Sequence, residues 1–196
     1  FTKEEYCKVI EKTIDYIKKG EILQANITQR FAVNLLADPW CLYKALRKVN
    51  PAPFSCYLDF DSVKVCSSSP ERYLKVTGDF IETRPIKGTR PRGKNRREDK
   101  LLKEELLNSE KDKSELKIIA TLIENELKSV CKPNSVKIEK LFNLEEYATV
   151  YHLVSIITGK LKEEYNVVDV LKATFPGGSI TGAPKVRSME IIEELE

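Results

Sequence analysis

An α+β fold, with antiparallel hairpins and long helices around one core, is the class this sequence predicts. Three observations lead there. Two pairs of short period-two segments, 55–60 with 63–68 and 72–77 with 79–84, are joined by tight turns at Asp61-Ser62 and Gly78-Asp79. Leu116, Ile119, Ile123, Leu127 and Val130 recur as a stripe at helical spacing. Hairpins and helices do not alternate in the strict order of a doubly wound parallel sheet.

Taken in order, Thr2-x-x-Glu5 is a capping box, and Tyr6, Val9, Ile10, Ile14 and Ile17 follow it, so helix is expected over 3–19 with Gly20 as its C-cap. Ala25, Ile27, Phe31, Val33 and Leu35 alternate with polar residues, the pattern of a half-buried strand over 25–35. Asp38-Pro39 starts a short helix reaching about 48. The hairpins follow. The basic, glycine- and proline-punctuated stretch 84–100 reads as a loop. Helix is expected from about 98 to 130, with Asn108-Ser109 as a break. Strands near 136–141 and 150–158, a helix over 167–174, a glycine-rich loop over 175–184 and a last helix from Pro184 complete the chain.

The 196 residues are enough for one sizeable core and are read as one partial domain, 1–196. Apolar residues make up 41% and the net charge is +3, a balance that implies neither a nucleic-acid nor a membrane partner. There is no signal-peptide pattern and no apolar stretch of membrane-spanning length, so the expected place is the cytoplasm. Five cysteines without a Cys-x-x-Cys pair speak against a disulfide framework and for reduced, mostly buried thiols. A single histidine rules out a multi-histidine metal site, so a metal would take oxygen ligands, which points to magnesium or calcium.

Three segments carry candidate chemistry. Ser67-Ser-Ser-Pro-Glu71-Arg72 ends a strand with a carboxylate beside a guanidinium; an exposed turn with an ordinary ion pair is the plain alternative. Residues 83–93 hold four basic side chains among two prolines and two glycines, suited to an anionic small molecule, to nucleic-acid phosphates or to plain solvation. No aromatic residues interleave, which weakens the nucleic-acid option. Phe175-Pro-Gly-Gly-Ser-Ile-Thr-Gly-Ala-Pro-Lys185 runs from a loop into a helix start, where backbone N–H groups could cradle a carboxylate; it is not a Walker A loop. Locally, His152 and Glu115 carry no distinguishing signal, and residue types alone stop at an enzyme-like domain with an anion-binding loop.

In this order, Gly20-Glu-Ile-Leu-Gln24-Ala-Asn26, Ser68-Ser-Pro-Glu-Arg72, the 84–93 segment, Ser109-Glu-Lys-Asp-Lys-Ser-Glu115, Tyr151-His-Leu-Val-Ser155, 175–185 and Met189-Glu-Ile-Ile-Glu-Glu-Leu-Glu196 resemble the chorismate-utilising enzyme family. The resemblance runs through the whole chain. It implies the antiparallel-sheet and helix layers of that fold, incomplete at both ends. It also implies that Glu71 is the general acid protonating the departing C4 hydroxyl. Glu115 becomes a magnesium ligand. His152, Gly177, Gly178, Ser179 and Thr181 become substrate contacts. Gln24 stands where hydrating members carry a water-activating lysine, so amination is expected rather than hydration.

Lys87, in Pro-Ile-Lys-Gly-Thr, makes the chain look closest to the aminodeoxychorismate synthase branch, where that lysine is thought to add to chorismate C2 before ammonia attacks C4. The resemblance then implies a magnesium cofactor, a glutaminase partner supplying ammonia, and a product on the route to p-aminobenzoate and folate. Anthranilate synthase, with ammonia attacking C2 directly, is the alternative within the class. A non-catalytic remnant that binds chorismate or a partner is the alternative outside it. Where the family usually shows Met-Ile-Val-Asp-Leu and Arg-Asn-Asp after the metal glutamate, this chain has Ile118-Ile-Ala-Thr121-Leu and Glu124-Asn125-Glu126, with Leu116 for the usual Asn or His. With further family segments expected beyond 196, the piece is expected to be inactive alone.

Overall fold

The computed structural model describes residues 1–196, and its helices and antiparallel strands divide between two compact units, Phe1–Gln29 with Tyr73–Glu196, and Arg30–Arg72. In the larger unit the strands β4 (Arg72–Thr77), β5 (Phe80–Arg84), β6 (Ile86–Pro91), β7 (Lys137–Glu146) and β8 (Val150–Lys160) form one five-stranded sheet. The longest strand, β8, organises it. Strand β7 runs antiparallel along one edge of β8, while β5 and β6 lie end to end along the other, pairing with Ile157–Lys160 and Val150–Val154 respectively. Pro85 stands at the joint between β5 and β6. It has no N–H to offer the ladder, and its carbonyl accepts from Ser155 N at 3.0 Å. Covered on both edges and both faces, β8 is buried along nearly its whole length.

Helices pack on this sheet through the stripe the sequence showed. Ala120, Leu127 and Val130 of α4 (Glu110–Val130) meet Ile81, Ile157, Leu161 and Val170, the last from α5 (Val167–Thr174). Leu106 of α3 (Arg96–Asn108) and Leu116 of α4 meet Tyr151 and Leu153 of β8. A separate cluster joins Val9 of α1 (Lys3–Lys18) and Ile22 to Ile191 and Leu195 of α6 (Lys185–Leu195). The local signals act as read. Thr2 and Glu5 close a capping box on α1, and Ser109 caps Asp112 N at the start of α4, where the break was expected. The two-residue strands β1 (Gln24–Ala25) and β9 (Gly182–Ala183) pair antiparallel.

In the smaller unit, Asp38 caps α2 (Pro39–Val49) by accepting from Trp40 N at 3.0 Å and Cys41 N at 3.2 Å. Beside it the hairpin β2 (Phe54–Phe60) and β3 (Val63–Ser69) pairs residue for residue from Phe54↔Ser69 to Phe60↔Val63. Trp40, Tyr43 and Tyr57 pack their rings with centroids 5.1–5.7 Å apart.

Three expectations are corrected. The stretch read as a loop over 84–100 contains strand β6 and the first turn of α3. Its charge and prolines masked a segment whose pairing is dictated by the open edge of β8 rather than by its own composition. The strand expected over 25–35 shrinks to Gln24–Ala25, and no ladder runs through residues 26–37. Alternation assigns faces, but a strand also needs a partner edge, and Phe31 and Val33 are left 85% and 92% exposed. The cysteines are all free, as expected, yet only Cys131 is buried; Cys7 and Cys41 are exposed. No helix is long and apolar enough to cross a membrane.

Candidate active site

Strand β6 carries Lys87 because of a bulge. Between the pairs Ile86↔Val154 and Thr89↔His152, β6 spends one residue more than β8. Gly88 absorbs the extra residue at φ +81, a conformation that favours glycine. A Cβ at this glycine would stand 2.8–2.9 Å from Asp112 and Leu106 atoms. On one side of the bulge Lys87 Nζ donates to the Ser179 carbonyl at 3.3 Å. On the other, Thr89 Oγ1 lies 2.9 Å from His152 Nδ1, and the ring tautomer decides which atom donates.

The Ser179 carbonyl belongs to the loop 175–184, which begins and ends at cis prolyl bonds, Phe175-Pro176 and Ala183-Pro184. Gly178 lets the loop lie flat on α4: a Cβ there would come within 2.7 Å of Leu122 Cδ2. Thr181 is buried and donates its hydroxyl to the Gly177 carbonyl at 3.1 Å. Asn26 ties the loop to β1. Its backbone N–H donates to Thr181 O at 2.7 Å, and its amide donates to the carbonyls of Ser179 (3.1 Å) and Thr181 (3.2 Å). Gln24 pairs with Ala183, and its carbonyl accepts from Ser188 Oγ at 3.2 Å.

Glu115 lies on the face of α4 that supports this loop, because positions 115, 119, 122 and 126 fall on one side of a 3.6-residue helix. Its carboxylate is 37% exposed and 4.0 Å from Lys111 Nζ. His152 is buried, and burial holds its pKa below the ordinary value, against the opposing pull of the Glu145 carboxylate. The imidazole is therefore neutral near pH 7. Glu145 itself is ion-paired to Arg84 and accepts from the Tyr147 hydroxyl at 2.6 Å.

Thus Lys87, His152, Gln24, Glu115 and Gly177, Gly178, Ser179 and Thr181 all belong to the larger unit, and hydrogen bonds tie Lys87 and β1 to the loop. Glu71 belongs to the smaller unit, half-buried just after β3, with its N–H donating to Ser69 Oγ at 3.2 Å. The residues departing from the family pattern lie along α4. Leu116 is fully buried in the core, Thr121 is exposed, and Glu124 pairs with Lys128 at 2.8 Å. Sequence reasoning left Thr89 and Glu126 out of the site and quoted Asn26 and Lys185 without a role. Asn26 lay inside a quoted motif, but only the fold brings it to the loop.

No group of three or more His, Cys, Asp or Glu side chains converges into a metal cage. Glu115 supplies one hard oxygen donor on the supporting face. Magnesium commonly takes one or two protein carboxylates and completes its shell with substrate oxygens and water. The donor chemistry therefore fits a magnesium ion held jointly with an anionic substrate.

Comparison with known proteins gives a consistent picture. A family model described as chorismate binding enzyme matches residues 1–196. Anthranilate synthase component 1 of Aquifex aeolicus is 46% identical over 196 residues, all of this chain and 40% of the relative. Aminodeoxychorismate synthase component 1 of Bacillus subtilis is 42% identical over 196 residues, all of this chain and 42% of the relative. The chain thus spans less than half the length of these curated relatives. Among solved structures, anthranilate synthase component I from Streptococcus pneumoniae superposes with a TM-score of 0.89 at 32% identity, covering 100% of this chain and 43% of that one.

Proposed function

Because the chain belongs to the chorismate binding enzyme family, we propose that the protein containing it aminates chorismate to 4-amino-4-deoxychorismate with ammonia from a separate glutaminase component. The carrying observation is Lys87, whose amine reaches the loop 175–184 at the Ser179 carbonyl, 3.3 Å away. In this reading the Lys87 nitrogen bonds to C2 while the C4 hydroxyl leaves as water, taking its proton from Glu71. Ammonia then bonds to C4, the C2–N bond breaks, and its electron pair returns to Lys87. The Gly177–Thr181 backbone and the neutral His152 orient the substrate. Glu115 would hold the magnesium ion, whose positive charge would polarise the ring carboxylate. That Gln24 is an amide, unable to act as a base, supports ammonia over water as the nucleophile.

The test is product identity. The full-length protein is supplied with chorismate, magnesium and ammonium, and the products are resolved by chromatography with mass detection. Aminodeoxychorismate, with activity lost in Lys87→Ala, supports the reading; full activity of Lys87→Ala refutes the covalent step. Anthranilate as product would establish the second reading, which the 46% identity to an anthranilate synthase component favours. In that case nitrogen is delivered directly to C2.

A further inference from the structure

The proposed chemistry leaves one buried pair unused. Lys185 Nζ lies 2.6 Å from Glu126 Oε1, and both side chains are only 12% exposed. Neither Glu126 oxygen has a hydrogen-bond partner beyond this lysine. Lys185 also donates to the Thr174 carbonyl at 2.7 Å, and the Thr174 hydroxyl lies 2.8 Å from the Tyr73 hydroxyl. Thr174 immediately precedes the loop 175–184 and Lys185 immediately follows it. One ammonium group therefore ties the two ends of the loop together and fastens them to α4, three turns along the same face from Glu115.

Burying two charges costs several kcal/mol of hydration per ion, and a lone pair with one contact returns that cost poorly. Burial accordingly pushes the Glu126 carboxyl above its ordinary pKa, while Lys185 draws it down. An apolar pair of similar volume would serve stability as well. What an apolar pair lacks is a single preferred geometry. We propose that Glu126 and Lys185 form a positioning clamp: they close the neck of the loop 175–184 and set where Gly177–Thr181 stand relative to Glu115 and Lys87. The clamp acts through the loop and does not itself touch substrate. Its effect on turnover rests on the proposed chorismate chemistry; its effect on the loop does not.

The experiment uses the full-length protein and the variants Glu126→Gln, Lys185→Met, the double variant and Glu126→Asp. Two readouts are taken: hydrogen exchange of residues 176–183 against that of β8, and KM against kcat for chorismate at saturating ammonium. Each single neutralising variant is expected to speed exchange in the loop while β8 stays protected, and to raise KM about tenfold. The double variant is expected to be no worse than the poorer single, and Glu126→Asp to recover most of the loss. Unchanged KM and loop exchange, with only the melting temperature lowered, would overturn the clamp and leave a merely structural pair. Should the single variants fail to fold, the double variant carries no unpaired buried charge and decides alone: wild-type loop exchange and KM in it overturn the proposal. If the wild type makes no amination product, the functional reading fails while loop exchange still judges the clamp.

Discussion

Replacing Gly88 with alanine perturbs the strand that carries Lys87 in two separable ways. The first is backbone strain: φ is +81, and an L side chain in that region costs roughly 1–2 kcal/mol. The second is contact. The new methyl would stand 2.8 Å from Asp112 Cγ, 2.9 Å from Asp112 Cβ and 2.9 Å from Leu106 Cδ1. Leu106 is fully buried and Asp112 is ion-paired to Arg90 at 3.3 Å, so neither yields freely. Overpacking of this kind costs about 1–3 kcal/mol, and the two effects together come to roughly 2–5 kcal/mol. Gly20→Ala isolates the first, since Gly20 has φ +75 with nothing within 4 Å of its would-be Cβ. The entropy an alanine removes from the unfolded chain is common to both variants and cancels in their difference. In urea denaturation with a slope of about 2 kcal/mol per molar, the midpoint of Gly88→Ala should lie roughly 0.5–1.5 M below that of Gly20→Ala. Equal midpoints would refute the contact argument, and with it the claim that the bulge is locked against α4.

Leu127→Ala, at a fully buried core position, should cost about 2–5 kcal/mol by the same assay. Asp99 is held far below its ordinary carboxyl value by the Arg92 guanidinium first, then by the Tyr151 hydroxyl and Gly93 N–H. A depressed carboxyl stabilises the fold above its unfolded pKa, so this stability should drain away as pH falls below about 4. In melting temperature against pH, Asp99→Asn should flatten that acid limb. His152 binds a proton less readily folded than unfolded, so its contribution is present above about pH 6.5 and is lost as pH falls through that value. Its ring resonances, identified by comparison with His152→Gln, should titrate with a midpoint below 6.5. Glu115→Gln should raise the magnesium concentration needed for half-maximal turnover while leaving the melting temperature in place; an unchanged magnesium requirement would remove Glu115 from the metal shell.

The parts of the fold that the sequence disclosed are those governed by local rules. The capping residues Thr2 and Asp38, the helix break at Ser109, the turns at Asp61 and Gly78, and the stripe from Leu116 to Val130 each carry their own instruction. Strand β6 was hidden because its membership in the sheet is decided by β8, some 60 residues further on, and because four cations over 84–92 look like solvated loop. The opposite error at 25–35 has the same root: alternation was present, but the partner edge extends only over Gly182–Ala183. At the site, the family resemblance named Lys87 and Ser179, yet no spacing reveals that two residues 92 positions apart share a hydrogen bond. The Glu126–Lys185 pair was invisible for the same reason, since each residue by itself is an ordinary helix charge.

The central place of β8 has a consequence for how the chain is made. Strands β5 and β6 end at Pro91, but the strand that pairs with both finishes only at Lys160. At roughly 5–20 residues per second, a ribosome needs about 3–14 s to travel between those points. Over that interval the residues of β5 and β6 have been made and the strand that pairs with both has not. An apolar edge would then be open to neighbouring nascent chains. The side chains along β6 include Lys87 and Arg90, whose charge repels such pairing until β8 arrives. The same cations that disguised the strand would thus also guard it during synthesis.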